Sequence, residues 1–241
     1  MIALLTAEIR KLRGSLALSF MLLSPALPGL LSFIAPFNMG RPLIWAEVIG
    51  LMTLPIWVSF LLPMAVAGLA GLFGQIEYRT RAWDHILALP IARWKLYLAK
   101  AVMMTAIVTV MTALAFLFAI AGAGLAGLLT GLIPEGPLPW DRLALLVIRI
   151  AGSALFFVAI LTWIALRFSA FLVPVAVGIG GAMMSVVLLI VQTDKANWFP
   201  WVLPTLLGRL PDQDWYVWLG LVGGLVVFAA MILDLSRHEM R

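Results

Sequence analysis

The sequence predicts an all-α polytopic membrane protein with six transmembrane helices. Hydrophobic residues make up 64% of its 241 residues, and charged residues make up only 11%. Soluble domains average about 25% charged residues, so a chain with a mean hydropathy of +1.11 belongs in a bilayer. Its apolar stretches are long enough to form helices of the ~20 residues that cross the hydrocarbon core.

Six such stretches are separated by turn residues and charges. They cover residues 15–36, 46–74, 99–131, 143–166, 170–191 and 215–235. No polar stretch between them is long enough to form a soluble domain, so we expect a single transmembrane domain over 1–241. An even number of spans places both termini on the same side of the membrane.

The first 14 residues predict a short helix that lies in the membrane interface. Ile2, Leu5, Ile9 and Leu12 share one face of this helix, whereas Glu8 and the basic residues lie elsewhere. A helix with one apolar and one charged face is typical of a segment that lies along the lipid surface.

The distribution of lysine and arginine predicts the orientation. The side of the termini carries Arg10, Lys11, Arg13, Arg79, Arg81, Arg93, Lys95, Lys100, Arg167, Arg237 and Arg241. The opposite side carries Arg41, Arg142, Arg149, Lys195 and Arg209. By the positive-inside rule, the termini and the 75–98 connection are cytosolic, and the loops 37–45, 132–142 and 192–214 lie outside. We therefore expect a multi-pass membrane protein with both termini in the cytosol.

Proline and glycine residues inside the spans predict how the helices bend and pack. Pro55 and Pro63 interrupt span two and should bend it, because proline removes a backbone donor. Glycines four residues apart allow two helices to approach closely. Two such pairs occur, Gly127 with Gly131 and Gly220 with Gly224. We interpret them as contacts within one subunit in preference to a dimer seam.

The connection between spans five and six is long and rich in tryptophan. Trp198, Trp201, Trp215 and Trp218 suit an aromatic belt at the lipid headgroups, and a lid over a transport pathway is the alternative interpretation. Arg149 lies about two turns inside span four. We interpret it as an arginine whose charge reaches the outer interface, in preference to a pore residue.

The connection between spans two and three is a charged island in an apolar chain. If residues 76–88 form a helix, its charged face carries Glu77, Arg81 and Asp84. Its apolar face carries Ile76, Trp83 and Leu87. Pro90 would end this helix, because it lacks a backbone donor and restricts the residue before it. Such a helix suits either a soluble partner or a membrane-anchored loop.

The same connection contains a recurrent pattern of acidic, aromatic, proline and basic residues. It consists of Glu77-Tyr78, Trp83, Leu87-Ala-Leu-Pro90 and Arg93-Trp-Lys-Leu-Tyr-Leu-Ala-Lys100. The pattern resembles the signature of type-2 ABC exporter permeases, particularly the six-span branch with lantibiotic-immunity and bacitracin-type exporters. The resemblance extends to the layout of the whole chain, although Arg81-Ala82 precedes Trp83 where many relatives have Gly-Thr.

The resemblance implies that residues 75–98 form a coupling segment whose helix rests in a cleft of a separate ATPase. The implied ATPase-coupling residues are Glu77, Tyr78, Arg81, Trp83, Asp84, Leu87, Pro90 and Arg93. It also implies two copies of an ABC ATPase subunit and a second permease, identical or related. By the same resemblance, the expected location is the bacterial cytoplasmic (inner) membrane. The chain contains no phosphate-binding G-x-x-x-x-G-K-[ST] loop. ATP and magnesium are therefore expected on the partner ATPase, with no cofactor bound by this chain.

No catalytic or metal site is predicted. The chain has no cysteine, and its two histidines, His85 and His238, do not form a cluster with metal-ligand spacing. No nucleic-acid partner is expected, because the basic residues are scattered between hydrophobic spans.

The predicted function is the permease subunit of an ATP-driven exporter that moves an amphipathic or hydrophobic cargo. An antimicrobial peptide, a lipid-like molecule and a drug all fit this description, and the resemblance favours peptide export or self-immunity. The alternative is a non-transporting membrane scaffold or assembly factor that recruits a cytosolic partner. A membrane enzyme is the third alternative and would need a convergent polar site.

Overall fold

Six long helices and one short N-terminal helix dominate the fold. The computed structural model describes residues 2–12, 15–79, 92–191, 194–210 and 213–237. The N-terminal helix covers Ile2–Leu12. Spans one to six, the helices long and apolar enough to cross a membrane, are Leu16–Met39, Trp45–Gln75, Arg93–Thr130, Trp140–Arg167, Leu172–Val191 and Trp215–Arg237. No β-strand occurs in these described ranges, and the predicted all-α polytopic fold with six spans is confirmed.

The connections define two sides of the helical bundle. The side called the base carries the N-terminal helix, the end of span two, the start of span three and the end of span six. The side called the top carries the connections 40–44 and 131–139 and the described residues 194–210 and 213–214. At the top, the first two of these connections pair through Ile44 and Glu135.

Glycine residues allow pairs of spans to approach closely. Span one lies mainly against span three, span four against span six, and span two against span five. A Cβ atom added at Gly29 of span one would stand 2.8 Å from the carbonyl oxygen of Phe118 in span three. One added at Gly220 of span six would stand 2.5 Å from the Cα of Ser153 in span four. These backbones are therefore too close to accommodate a larger residue.

The two predicted glycine pairs have different roles. Gly224 packs with Gly220 against span four, and a Cβ atom added there would stand 2.7 Å from the backbone of Leu155. This confirms a contact within the subunit. Gly131 instead has a φ of +76° and ends span three, while Gly127 faces the loop that follows it. The pair of Gly127 and Gly131 therefore lies where the chain turns at the top.

Span two departs from regular α-helical geometry around Pro55. Two π-helical stretches, Val48–Thr53 and Trp57–Leu61, flank the turn that contains this proline. The hydroxyl of Thr53 donates to the carbonyl of Val48, five residues earlier, at 2.7 Å. The buried Trp57 donates its Nε1–H to Thr112 Oγ1 of span three at 3.3 Å. The irregularity that proline predicts thus takes a π-helical form, and the helix then continues as Leu62–Arg79.

Span three begins earlier than its hydropathy predicts. Its helix starts at Arg93, whereas the apolar stretch starts at about residue 99. Leu96 and Tyr97 are buried, so the first turns pack on the bundle although the neighbouring basic residues lower the local hydropathy. The last residues of the predicted coupling segment therefore belong to span three.

The connection between spans five and six folds back into the top of the bundle. It contains two short 3-10 helices, Asp194–Ala196 and Leu203–Gly208, and residues 201–207 are buried. Trp201 stacks on Phe157 of span four and on Phe199, with ring centroids 5.8 Å and 5.4 Å apart. The belt interpretation is wrong for Trp201, which is a core residue. Trp198, Trp215 and Trp218 are exposed.

Gly220→Ala should lower the thermal unfolding temperature of the protein in mild detergent. The added methyl group would stand 2.5 Å from the Ser153 Cα and force spans four and six apart. Gly180→Ala is the matched control, because nothing lies within 4 Å of its added Cβ and alanine favours a helix by about 1 kcal/mol. Equal unfolding temperatures for the two variants would contradict this packing role.

Candidate functional site

The residues predicted to contact an ATPase occupy the base or lie outside the described residues. Glu77 and Tyr78 belong to the end of the helix that continues span two, and Arg93 is the exposed first residue of the span-three helix. The residues outside the described ranges are Arg81, Trp83, Asp84, Leu87 and Pro90. The coupling helix over 76–88 thus stays a prediction.

The start of span three has the side chains of a membrane interface. Arg93, Trp94 and Lys95 are all exposed. The ammonium of Lys95 lies 5.6 Å from the centroid of the Trp94 ring, a favourable cation–aromatic distance. Helices run into the intervening residues from both sides, to Arg79 and from Arg93. A displacement of the chain between them would therefore act directly on spans two and three.

A buried ion pair fastens the N-terminal helix to the base of span three. The Nζ atom of Lys100 lies 3.2 Å from both carboxylate oxygens of Glu8. Lys100 is only 3% exposed and Glu8 only 8%. Lys11, one turn further along the N-terminal helix, donates to Glu8 Oε1 at 2.9 Å. Buried charges are costly unless they are paired, so this cluster favours one position of the helix.

Lys100 also lies where several spans meet. It lines a small cavity of about 10 Å³ together with residues of spans two and four, including Phe73 and Thr162. That volume is comparable with the space that one water molecule needs. The ion pair is therefore placed at a junction of the N-terminal helix with spans two, three and four.

In the sequence, Glu8 and Lys100 carry only weak signals of a shared role. Glu8 is the single acidic residue among the first 14, and Lys100 lies just inside a predicted span. The two residues are 92 positions apart. Because their pairing is a tertiary contact, no local spacing indicates it.

An apolar groove that is open to the surface of the bundle, called the base cavity, lies between spans one, two and five. Its volume is about 490 Å³, and its lining includes Ser19, Phe20, Gly68, Phe171 and Val175. Pockets for small ligands typically have volumes of about 300–1,000 Å³. Among the described residues that line it, none is charged. The cavity can thus hold an apolar group without desolvating a charge.

Arg149 is held at the top by the start of span six. Its Nη2 lies 2.7 Å from Asp214 Oδ1 and donates to the carbonyl of Gln213 at 3.1 Å and the hydroxyl of Tyr216 at 3.3 Å. Tyr216 in turn donates to the carbonyl of Leu210 at 3.0 Å. The predicted outer-interface arginine is therefore a link between span four and the connection before span six.

Other carboxylates near the ends of spans also have polar partners. Arg41 donates to the two carboxylate oxygens of Glu47 at 3.0 Å and 3.1 Å, and these hydrogen bonds and the negative charge raise the pKa of Arg41 above its ordinary value. At the base, Asp234 accepts a hydrogen bond from Trp163 Nε1 at 3.0 Å. Within the part of the chain that the structure describes, no group of three or more potential ligands could hold a metal ion.

Together, these features define a helical membrane protein with an apolar cavity and a charged connection at one side. The family model for the ABC-2 family transporter protein matches residues 4–185, well over half of the chain. The chain belongs to this family. It is therefore a membrane permease subunit of an ABC transporter, and this membership implies an ABC ATPase partner. Searches of curated proteins and of solved structures found no match.

Glu8→Leu should destabilise the protein, because it removes the carboxylate that faces the buried ammonium of Lys100. Loss of one partner of a buried ion pair typically costs about 3–5 kcal/mol, which a thermal scan in mild detergent would detect as a lower unfolding temperature.

The double variant Glu8→Leu/Lys100→Met should recover most of this loss, because apolar replacement of both partners is often neutral. Lys95→Met is the matched control, since Lys95 is exposed on the same helix. A wild-type unfolding temperature for Glu8→Leu would show that the pair contributes nothing to stability.

Proposed function

We propose that this permease subunit exports an amphipathic or hydrophobic cargo, such as an antimicrobial peptide, a lipid-like molecule or a drug. The observation that carries the proposal is the base cavity, with its volume of about 490 Å³ and its uncharged lining. Ser19 supplies a hydroxyl group in a lining that is otherwise formed by apolar residues. An apolar part of a cargo would fill this space without burying an unpaired charge.

The resemblance to lantibiotic-immunity and bacitracin-type exporters favours a peptide cargo and a role in export or self-immunity. We place the chain in the bacterial inner membrane with its base, and hence both termini, in the cytosol. The excess of lysine and arginine on the side of the termini supports this orientation through the positive-inside rule. Cargo would then enter from the cytosolic half of the membrane and leave at the top.

Two copies of the ATPase, with their ATP and magnesium, would drive two permeases that are identical or related. The predicted coupling helix has chemistry that suits this contact. Its charged residues Glu77, Arg81 and Asp84 would fix the register against a soluble partner. Trp83 and Leu87 would serve as buried anchors, the kind of residue that contributes most of the energy of an interface.

Purification of the tagged chain from its native membrane in mild detergent tests the assignment. We expect an ATPase with a phosphate-binding P-loop to copurify in stoichiometric amount, with magnesium-dependent ATP hydrolysis that vanadate inhibits. Trp83→Ala and Glu77→Lys should release this ATPase or uncouple hydrolysis from export while the chain stays inserted.

Trp218→Ala is the matched control, because Trp218 is exposed at the opposite side. Unchanged coupling in both coupling-segment variants would contradict the site assignment. A preparation without ATPase, even after crosslinking in the membrane, would favour the scaffold function.

Ser19→Trp should block the base cavity and lower export by about tenfold or more, which corresponds to ~1.4 kcal/mol of lost binding. Export of bacitracin, a lantibiotic, a fluorescent short-chain lipid and a hydrophobic dye would be measured in inside-out vesicles that contain the copurified ATPase.

Leu22→Trp is the control, because Leu22 is exposed on the same span outside the cavity lining. Equal export of each of these probes by the two variants would argue against the base cavity as the cargo site.

A further inference from the structure

The N-terminal helix is joined to two different spans at the base. At its end, next to span one, the Ser15 hydroxyl donates to the carbonyl of Leu12 at 2.8 Å. The ion pair between Glu8 and Lys100 links it to span three. A helix of 11 residues is only marginally stable in isolation. Its position therefore depends on these two attachments.

Lys100 stands on the same unbroken helix as the end of the coupling segment. It lies about two turns after Arg93, where that helix begins. A displacement of Arg93 would consequently move Lys100, and the buried ammonium of Lys100 holds the carboxylate of Glu8 through both oxygens. Separation of the two charges would leave both in poorly solvated surroundings, which is costly.

Span one supplies one wall of the base cavity. Leu16, Ser19, Phe20 and Leu23 from its first two turns line the cavity, and Leu16 is 75% exposed. The close glycine contact between spans one and three lies further along, at Gly29. At the base, the N-terminal helix thus offers a direct mechanical link from span three to this wall.

We propose that Glu8 and Lys100 are positioning residues that make the N-terminal helix and the base of span three move as one unit, so that ATP-driven displacement of span three shifts the span-one wall of the base cavity. This inference rests on the proposed function. It adds to that function a transmission element outside the residues that would contact the ATPase.

Distances between pairs of spin labels test the proposal on the complete complex. The chain has no cysteine, so spin labels attach to this chain only at the introduced cysteines. Exposed positions for the labels are Arg10 with Val102, Val102 with Leu233, and Leu22 with Leu233. Each pair would be measured in liposomes with the copurified ATPase, before and after trapping with Mg-ATP and orthovanadate.

In the protein with its ion pair intact, trapping should change the distances from Val102 to Leu233 and from Leu22 to Leu233. The distance from Arg10 to Val102 should stay constant, because the N-terminal helix follows span three. With Lys100→Met added, trapping should change the Arg10–Val102 distance or broaden its distribution. The change in the Leu22–Leu233 distance should be lost. Lys195→Met, the same exchange at an exposed residue of the top, should leave the intact pattern.

Three results would overturn the proposal. One is an Arg10–Val102 distance that changes with trapping in the intact protein. The second is an unaltered pattern in Lys100→Met. The third is an unaltered pattern in the apolar double variant Glu8→Leu/Lys100→Met, which would assign the coupling to packing and not to the charges. A Val102–Leu233 distance that never responds to ATP would instead refute the proposed ATP-driven function, and this inference with it.

Discussion

Close backbone contact at glycine residues is the constraint on which the arrangement of the spans depends. Apolar side chains gain little by leaving lipid for another helix, so transmembrane helices associate through close packing and hydrogen bonds. Gly29 against Phe118 and Gly220 against Ser153 bring two pairs of spans to the smallest separation that the backbone allows. These contacts fix spans one and three, and spans four and six, as neighbours. The base cavity exists because spans one and five both pack on span two but do not close against each other.

Charged contacts complement this packing at the ends of the helices. The Glu8–Lys100 pair acts at the base, and the Arg149–Asp214 pair acts at the top. Charges are expensive in the hydrocarbon core unless they are paired. Ion pairs near the ends can therefore fix the register of helices whose apolar middle sections would tolerate sliding. Ion pairs near the helix ends thus set the register of the spans, whereas glycine contacts determine which spans are neighbours.

The number and type of the spans could be predicted from the sequence because a bilayer leaves the backbone few options. Without water, a spanning chain must satisfy its own hydrogen bonds, and a helix does so within one segment. The interior role of Trp201 could not be predicted, because an aromatic residue next to proline in a long loop equally suits a headgroup belt. The Glu8–Lys100 pair could not be predicted either, since it joins residues 92 positions apart. The early start of span three at Arg93 depends on tertiary burial of Tyr97, which hydropathy does not record.

On the proposed function, the base cavity must change shape during transport, because a fixed cavity that binds a cargo cannot also release it at the top. Span two provides the shortest mechanical route, since Met64, Gly68 and Leu72 line the cavity on the same helix that runs to Arg79. Above this part, the π-helical stretches interrupt the regular hydrogen-bond pattern, a feature that is frequent at functional sites. The bond from Trp57 to Thr112 ties this irregular region to span three. A push on the coupling segment would thus tilt the lower part of span two below a tethered region, while the N-terminal helix carries span one in the same step.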